Sequence, residues 1–182
     1  MEFVNTSLVK QLKRPVKDSH KGDNGRLTII GGSKLFHGAS LWALTVASRI
    51  VDMVYYASVS ENQALTDSLK KELYSFILVP QGKEEEYIKE SDTVLIGPGM
   101  VRGSSEYTGT GETGEETRKK TISLLTKFPQ KQWVIDAGSL QALTEKDLKE
   151  VKNPIVTPHG GEFKRLFNIS LNDCSQEEKI AI

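Results

Sequence analysis

Short apolar runs that end at glycine, proline or aspartate alternate along this chain with segments of helical pattern. The runs predict strands over residues 27–30, 53–59, 76–79, 93–96 and 133–135, and a further strand beginning at Ile155. Several of these runs are apolar throughout, which is typical of strands buried on both faces of a parallel sheet. We therefore expect an α/β fold with a mostly parallel central sheet and helices on both faces.

Helical patterns fill the segments between the strands. They predict helices over residues 41–51, 62–73, 83–90 and 113–128, short helical turns over residues 140–151, and a helix that opens at Glu162. Thr113 and Glu116 have the spacing of a capping box, which marks a helix start. Apolar residues at helical spacing, beginning with Val4 and Leu8, also predict an amphipathic helix over the first dozen residues.

The composition restricts the classes of function. The 182 residues carry 24 basic and 24 acidic side chains, so no net charge favours nucleic acid or an anionic membrane surface. No apolar run approaches the ~18 residues of a membrane span, and the N-terminus lacks the apolar core of a signal peptide. The single cysteine, Cys174, fits a reducing compartment. We expect one domain of ordinary size in a cytoplasmic protein.

The last residues have the pattern of an opening helix. Ser175 and Glu178 have capping-box spacing, and an apolar stripe starts at Ile180. A domain seldom ends in the first turns of a helix. We therefore expect residues 1–182 to form a single domain that lacks its C-terminal portion.

Glycines follow two of the predicted strands, at the edge where ligands bind in sheets of this kind. Gly31-Gly32-Ser33 follows the first strand, and His37-Gly38-Ala39-Ser40 opens the next helix, where backbone N–H groups can approach an anion. Gly97-Pro98-Gly99 follows the fourth strand. Glycine is also the usual residue of plain tight turns, so the sequence leaves binding and simple turn geometry both open.

Ionisable side chains follow the last two strands. Asp136 has the position either of a contact to a ligand or metal, or of a helix N-cap or a carboxylate that satisfies nearby amides. His159 could donate to or stack on a ligand, or it could be a surface or capped residue, and as a catalytic base it has no carboxylate partner evident in the sequence. Glu162 and Arg165 are three residues apart, a spacing at which they can pair with each other.

Several familiar motifs are excluded. Residues 109–114 match Gly-x-Gly-x-x-Gly in letters, but no apolar strand precedes them, so we interpret this segment as a solvated loop. The sequence has no Gly-x-x-x-x-Gly-Lys-Ser/Thr phosphate loop, no Cys-x-x-Cys, no His-Glu-x-x-His and no nucleophile elbow.

Together, the strand ends resemble the ADP/ATP-dependent NAD(P)H-hydrate dehydratases of the ribokinase-like superfamily. The resemblance covers nearly all of the chain from Lys21 to about Phe167. Its order and spacing rest on Lys21-Gly22-Asp23-Asn24-Gly25-Arg26, Ile30-Gly31-Gly32-Ser33, Phe36-His37-Gly38-Ala39, Leu95-Ile96-Gly97-Pro98-Gly99, Val134-Ile135-Asp136-Ala137 and Thr157-Pro158-His159-Gly160-Gly161-Glu162-Phe163.

The resemblance implies a three-layer α/β/α fold and the dehydration of (S)-NADH or (S)-NADPH hydrate, with ADP or ATP consumed and Mg²⁺ as the usual metal. It also implies a set of site residues by motif matching. Ala39, one or both of Gly97 and Gly99, and His159 would contact the hydrated dinucleotide, Glu162 and Arg165 would belong to the same pocket, and Asp136 would border it.

The chain departs from the family pattern at three places. The family's Gly-Thr-Gly-Asp motif, which holds the catalytic aspartate and part of the nucleotide site, lies downstream of Thr-Pro-His, whereas Gly109-Thr110-Gly111-Glu112 lies upstream of it. Val101 replaces the last glycine of Gly-Pro-Gly-x-Gly, and Gly138 replaces the second acid of Asp-Ala-Asp. We therefore predict that this chain holds no catalytic residue and has no dehydratase activity alone.

Two other functions stay open. A small-molecule kinase of the same superfamily would share the fold, though not the combination of Thr157-Pro158-His159 with Gly97-Pro98-Gly99. A non-catalytic module would bind a dinucleotide without turnover. An incomplete sheet would expose an apolar edge, so we also expect a homo-oligomer.

Overall fold

The computed structural model describes residues 14–103, 111–171 and 174–175, together with Ser7 and Lys10. Strands and helices alternate through this part of the chain. The strands are β1 (Arg26–Ile30), β2 (Met53–Ala57), β3 (Ile77–Leu78), β4 (Thr93–Ile96), β5 (Gln132–Ile135) and β6 (Ile155–Val156). The α-helices are α1 (Gly38–Ala47), α2 (Gln63–Leu69), α3 (Glu84–Glu90), α4 (Gly114–Lys127), α5 (Ala137–Ala142), α6 (Glu145–Lys149) and α7 (Gly160–Phe167), with a 3₁₀ turn at Ser60–Asn62.

The six strands form one sheet in the order β3-β2-β1-β4-β5-β6, and every pairing is parallel. Ile29 lies opposite both Tyr56 of β2 and Leu95 of β4. Val134 of β5 lies opposite both Leu95 and Ile155. The predicted parallel sheet is confirmed, and its strand order reverses between β1 and β4.

One face of the sheet is covered by α3 to α7. Each of these helices contributes a buried side chain to the same core: Ile88, Leu124, Leu140, Leu148 and Leu166. They pack on strand residues such as Ile96 and Trp133, which are fully buried. The Trp133 indole donates its N–H to the Phe128 carbonyl at 2.9 Å, so its polar atom is satisfied inside the core.

The opposite face is covered over only part of its width. A second core joins Ile29, Val54 and Tyr56 to Leu44 of α1, so α1 and α2 cover β1 and β2. Further along the same face, Val134 is half-buried and Ile155 is 52% exposed. We call β4, β5 and β6 on this side the open face. It is flanked by an exposed apolar stripe on and just after α1, formed by Trp42, Val46 and Ile50.

The predicted elements are confirmed in kind, with differences at their ends. β2 ends at Ala57 instead of residue 59, and β3 has only two residues. The Val79 N–H still bonds to Tyr56, but Pro80 follows and has no N–H to continue the ladder. The last helix opens at Gly160 instead of Glu162, because His159 serves as its N-cap.

The capping box predicted at Thr113 is confirmed. Thr113 Oγ1 accepts from the Glu116 N–H at 3.2 Å, and the Glu116 carboxylate accepts from the Thr113 N–H at 2.9 Å. The helices predicted over the first dozen residues and after Ser175 fall mostly outside the described residues, although Ser7 and Lys10 are helical.

Candidate functional site

The carboxyl ends of the parallel strands meet at one edge of the sheet, and most of the predicted site residues lie in the loops at that edge. Gly97 directly follows β4, Asp136 directly follows β5, and His159 is three residues past β6. Ala39 is the second residue of α1, and it is exposed. The sequence motifs therefore identify one continuous edge, which is where ligands bind in sheets of this type.

The loops after β1 and β4 pack against each other where the strand order reverses. The Gly32 N–H donates to the Pro98 carbonyl at 2.7 Å, and the Gly97 N–H donates to the Ile30 carbonyl at 3.0 Å. A side chain at Gly99 would press on the Phe36 carbonyl in the loop that precedes α1. Glycine is needed here because two stretches of backbone come into direct contact. The contact buries Gly32, Gly97 and Pro98, whereas Gly99 is half-buried and lies beside the loop that leads into α1.

Gly97 also sets the relation between the ends of β4 and β5. It has φ +116°, and any β-carbon at this position would overlap the Asp136 carbonyl oxygen. The next residue after Asp136, Ala137, has φ +41°, an uncommon conformation for a residue with a side chain. Backbone of this kind occurs often at functional sites.

Asp136 is at the N-cap position of α5, but its side chain makes no capping bond to the helix. Its Oδ1 instead accepts from the Thr157 hydroxyl at 2.7 Å, which joins the end of β5 to the loop after β6. Of the two roles open from sequence, side-chain capping is therefore wrong, and the role at the border of a ligand pocket stays a prediction.

His159 caps α7 with its imidazole. Nδ1 accepts from the N–H groups of Gly161 at 3.1 Å and Glu162 at 3.4 Å. The Glu162 carboxylate returns the contact by accepting from the His159 backbone N–H at 3.0 Å. The imidazole is nevertheless 69% exposed, so one side of the ring is fixed by the helix and the other faces solvent at the sheet edge.

The pairing of Glu162 with Arg165 suggested by their spacing is wrong, because each side chain has other partners. Glu162 is buried and accepts from the Gln141 side-chain amide at 2.7 Å. The Arg165 guanidinium donates to the carbonyls of Leu143 at 3.0 Å and Leu140 at 2.8 Å. Both side chains therefore attach α7 to α5, and Gln141 is a site residue that the sequence analysis missed.

A separate cleft of about 330 Å³ opens at the carboxyl ends of β1 and β2, on the face covered by α4. Its lining contains none of the seven predicted site residues. Its two lysines are already paired, Lys34 with Glu61 at 3.0 Å and Lys120 with Glu84 at 2.7 Å. The cleft therefore offers a ligand no uncompensated lysine, and we place the candidate site at the edge formed by β4, β5 and β6.

Within the described ranges, no three histidine, cysteine, aspartate or glutamate side chains come together in a group able to hold a metal ion. None of the described helices has both the length and the apolar character needed to cross a membrane.

The fold and its glycine-lined edge define a class. A ribokinase-like superfamily protein from Enterococcus faecalis superposes with a TM-score of 0.75 at 16% identity, covering 97% of this chain and 60% of that one. An ADP/ATP-dependent NAD(P)H-hydrate dehydratase from Bacillus subtilis, co-crystallised with ATP/Mg²⁺, superposes with a TM-score of 0.63 at 20% identity, covering 93% and 56%. The protein has a ribokinase-like α/β fold.

The sequence comparison narrows the class to a family. The NAD(P)H-hydrate dehydratase family model matches residues 27–182, and the chain belongs to this family. An ADP-dependent (S)-NAD(P)H-hydrate dehydratase from Lactococcus lactis is 28% identical over 181 residues, and one from Nitrosopumilus maritimus is 32% identical over 183 residues. The matches cover 98% of this chain but 62% and 61% of these relatives, so the chain spans about 60% of their length.

Proposed function

We propose that the protein acts in the ADP- or ATP-dependent dehydration of (S)-NAD(P)H hydrate, and that residues 1–182 supply the side of the site that binds the hydrated dinucleotide. The observation that carries the proposal is the family match over residues 27–182, which includes every strand end described above. The parallel edge that holds Gly97, Asp136 and His159 supports it.

The start of α1 has the groups that a dinucleotide phosphate would need. His37, at the N-cap position, makes no side-chain bond to the first amides of the helix. The His37 side chain therefore does not occupy the N–H of the exposed Ala39, and a helix N-terminus favours an anionic oxygen. Gly99 is half-buried and lies against the loop just before this helix, so its exposed part adjoins the same site.

Adenine nucleotide and Mg²⁺ enter the proposal through the relatives, one of which was crystallised with ATP/Mg²⁺. The described residues do not fit a metal site, because no acidic or histidine cluster is present among them. We therefore assign no residue of this chain to the metal and none to proton removal. Glu162 and Arg165 support the pocket from α7, and Asp136 borders it.

Calorimetry with (S)-NADPH hydrate tests the binding half of the proposal. We expect the purified chain to bind the hydrate, and Ala39→Glu to weaken binding tenfold or more, since a carboxylate placed at the phosphate position costs at least about 1.4 kcal/mol. Ala64→Glu is the matched control, because Ala64 is also exposed and is also the second residue of a helix. Equal weakening by both variants, or no binding by the unaltered chain, would contradict the proposal.

A turnover assay tests whether residues 1–182 bind the hydrate without converting it. With ATP and Mg²⁺ added, we expect the chain to bind hydrate without restoring the absorbance of the reduced nicotinamide. Recovery of that absorbance would show that the chain alone is active. Phosphorylation of a small alcohol from a substrate panel would instead favour the kinase alternative.

Association of copies is a further part of the proposal. The stripe of Trp42, Val46 and Ile50 exposes three large apolar side chains beside the open face, and such surfaces mark interaction sites. We expect sedimentation velocity to show a homo-oligomer that Trp42→Glu dissociates. A monomer at all concentrations would contradict this part.

A further inference from the structure

The contacts of the His159 imidazole favour one tautomer of the neutral ring. Nδ1 accepts two backbone N–H groups, those of Gly161 and Glu162. An acceptor nitrogen carries no proton, and a neutral imidazole has one donor and one acceptor nitrogen. The proton of the neutral ring is therefore on Nε2, in a side chain that is 69% exposed.

Glu162 lies close to both the backbone and the imidazole ring of His159. Its side chain is only 7% exposed, and its Oε1 is 3.5 Å from His159 Nε2 while its Oε2 accepts from the His159 backbone N–H. Oε1 also accepts from the Gln141 amide, so both carboxylate oxygens are engaged. The carboxylate therefore fixes the backbone of His159 and lies on the Nε2 side of the ring, where a lone pair on Nε2 would face a carboxylate oxygen.

The backbone around the ring leaves little room for another orientation. A β-carbon at Gly161 would lie 3.1 Å from His159 Cε1 and 3.4 Å from Nδ1, so the ring packs directly over this glycine. The helix start thus holds the imidazole at Nδ1 and Glu162 lies 3.5 Å from Nε2, while most of the side chain stays exposed; Gln141 holds Glu162 in turn.

We propose that Glu162 is a positioning residue, held by Gln141, which keeps His159 as an Nε2–H donor to an acceptor oxygen of the ligand. The inference rests on the proposed function only for the identity of that ligand, a reduced dinucleotide hydrate. Phosphate, hydroxyl and amide oxygens of such a molecule all accept hydrogen bonds. A neutral donor of this kind binds the ligand and does not remove a proton from it.

Long-range ¹H–¹⁵N correlation spectra of the histidine rings test the role of Glu162 without any ligand. We expect His159 in the ¹⁵N-labelled chain to show an unprotonated Nδ1 and a protonated Nε2, with its signals assigned by their loss in His159→Asn. In Glu162→Gln, which places an amide where the carboxylate faced Nε2, we expect the form protonated at Nδ1 to gain population, while the backbone contacts at Nδ1 keep the Nε2-protonated form the major one. Glu145→Gln makes the same change at an exposed residue of α6 and should leave the spectrum unaltered.

Gln141→Met provides a milder perturbation if Glu162→Gln fails to fold. It removes the amide that Glu162 accepts from and leaves the helix cap in place, so we expect a smaller shift in the same direction. If the folded variants lower the melting temperature and leave the His159 ring spectrum unchanged, Glu162 only packs the helix and the inference is overturned.

His159→Asn distinguishes the role of His159 as an Nε2–H donor to the ligand from its role as the N-cap of α7. Asparagine is a good N-cap residue, so the helix should be retained, while the Nε2–H donor is lost. We expect a melting temperature close to that of the unaltered chain and about fivefold weaker binding of (S)-NADPH hydrate, the effect of losing one neutral hydrogen bond. Unchanged binding would show that His159 is a cap only.

The binding measurement and the ring spectra test different parts of the inference. If the unaltered chain binds no hydrate, the proposed function fails together with the ligand part of this inference. The ring spectra of the free protein then still decide whether Glu162 and Gln141 set the protonation form of His159.

Discussion

Gly97→Ala tests the close contact between the ends of β4 and β5. Two costs add at this position. Gly97 has φ +116°, where a residue with a side chain is strained by about 1–3 kcal/mol. The added methyl would also overlap the Asp136 carbonyl oxygen, and overpacking of this kind costs about 1–3 kcal/mol more. We expect the free energy of unfolding to fall by about 2–6 kcal/mol, a large part of the 5–15 kcal/mol typical of a domain.

Two other glycines separate the two costs. Gly82 has φ +75° and no atom near the position of a β-carbon, so Gly82→Ala carries the conformational cost alone, about 1–2 kcal/mol. Gly160 begins α7 without a positive φ or a close neighbour, so Gly160→Ala should change stability by less than about 0.5 kcal/mol.

Urea unfolding followed by circular dichroism gives the three values on one scale, provided that the slope of free energy against urea stays constant. The expected order of destabilisation is Gly97→Ala, then Gly82→Ala, then Gly160→Ala. If Gly97→Ala and Gly82→Ala lower the free energy of unfolding by the same amount, a β-carbon at Gly97 does not overlap the Asp136 carbonyl oxygen, and the reasoning is refuted.

Three further predictions concern the helices. Thr113→Ala removes the capping box of α4 and should lower the free energy of unfolding by about 1 kcal/mol in urea titrations. Leu140→Ala empties a fully buried position and should cost about 2–5 kcal/mol in the same assay. Burial is the largest single influence on the pKa of Glu84 and raises it, but the hydrogen bond and positive charge of Lys120, together with a hydrogen bond from the Glu84 backbone, outweigh burial and hold that pKa below its ordinary 4.5. The pair therefore contributes its full stability above pH 4.5 and loses it as the pH falls through the lowered pKa, so the melting temperatures of the unaltered chain and Glu84→Gln should converge in acid.

The parallel sheet was predictable because its strands are apolar on both faces. Ile29 and Ile30 are adjacent in sequence, and each is buried in a different core. The ends of the elements were less predictable, because they depend on partners distant in sequence. β3 has only two residues although residues 76–79 are apolar, since Pro80 follows and the strand pairs on one side only.

The site was predictable in its location and less so in its contacts. Glycine, aspartate and histidine at successive strand ends indicated the edge, because parallel strands bring their carboxyl ends together. Local spacing suggested that Glu162 pairs with Arg165, but tertiary contacts with Gln141 and with the carbonyls of α5 prevailed. No spacing rule connects residues more than twenty positions apart, so Gln141 had no signal in the sequence.

The uneven cover of the sheet also gives its two halves different resistance to local opening. The amides of β1 lie between two paired neighbours and under helices on both sides, so they exchange with solvent only when most of the domain unfolds. β6 is a two-residue edge strand, and Ile155 is about half exposed to solvent. Separating β6 from β5 therefore costs much less free energy than opening β1. The loop that carries His159 is therefore attached to one of the two short edge strands of the sheet, and its capped helix, more than the strand, keeps the imidazole in place.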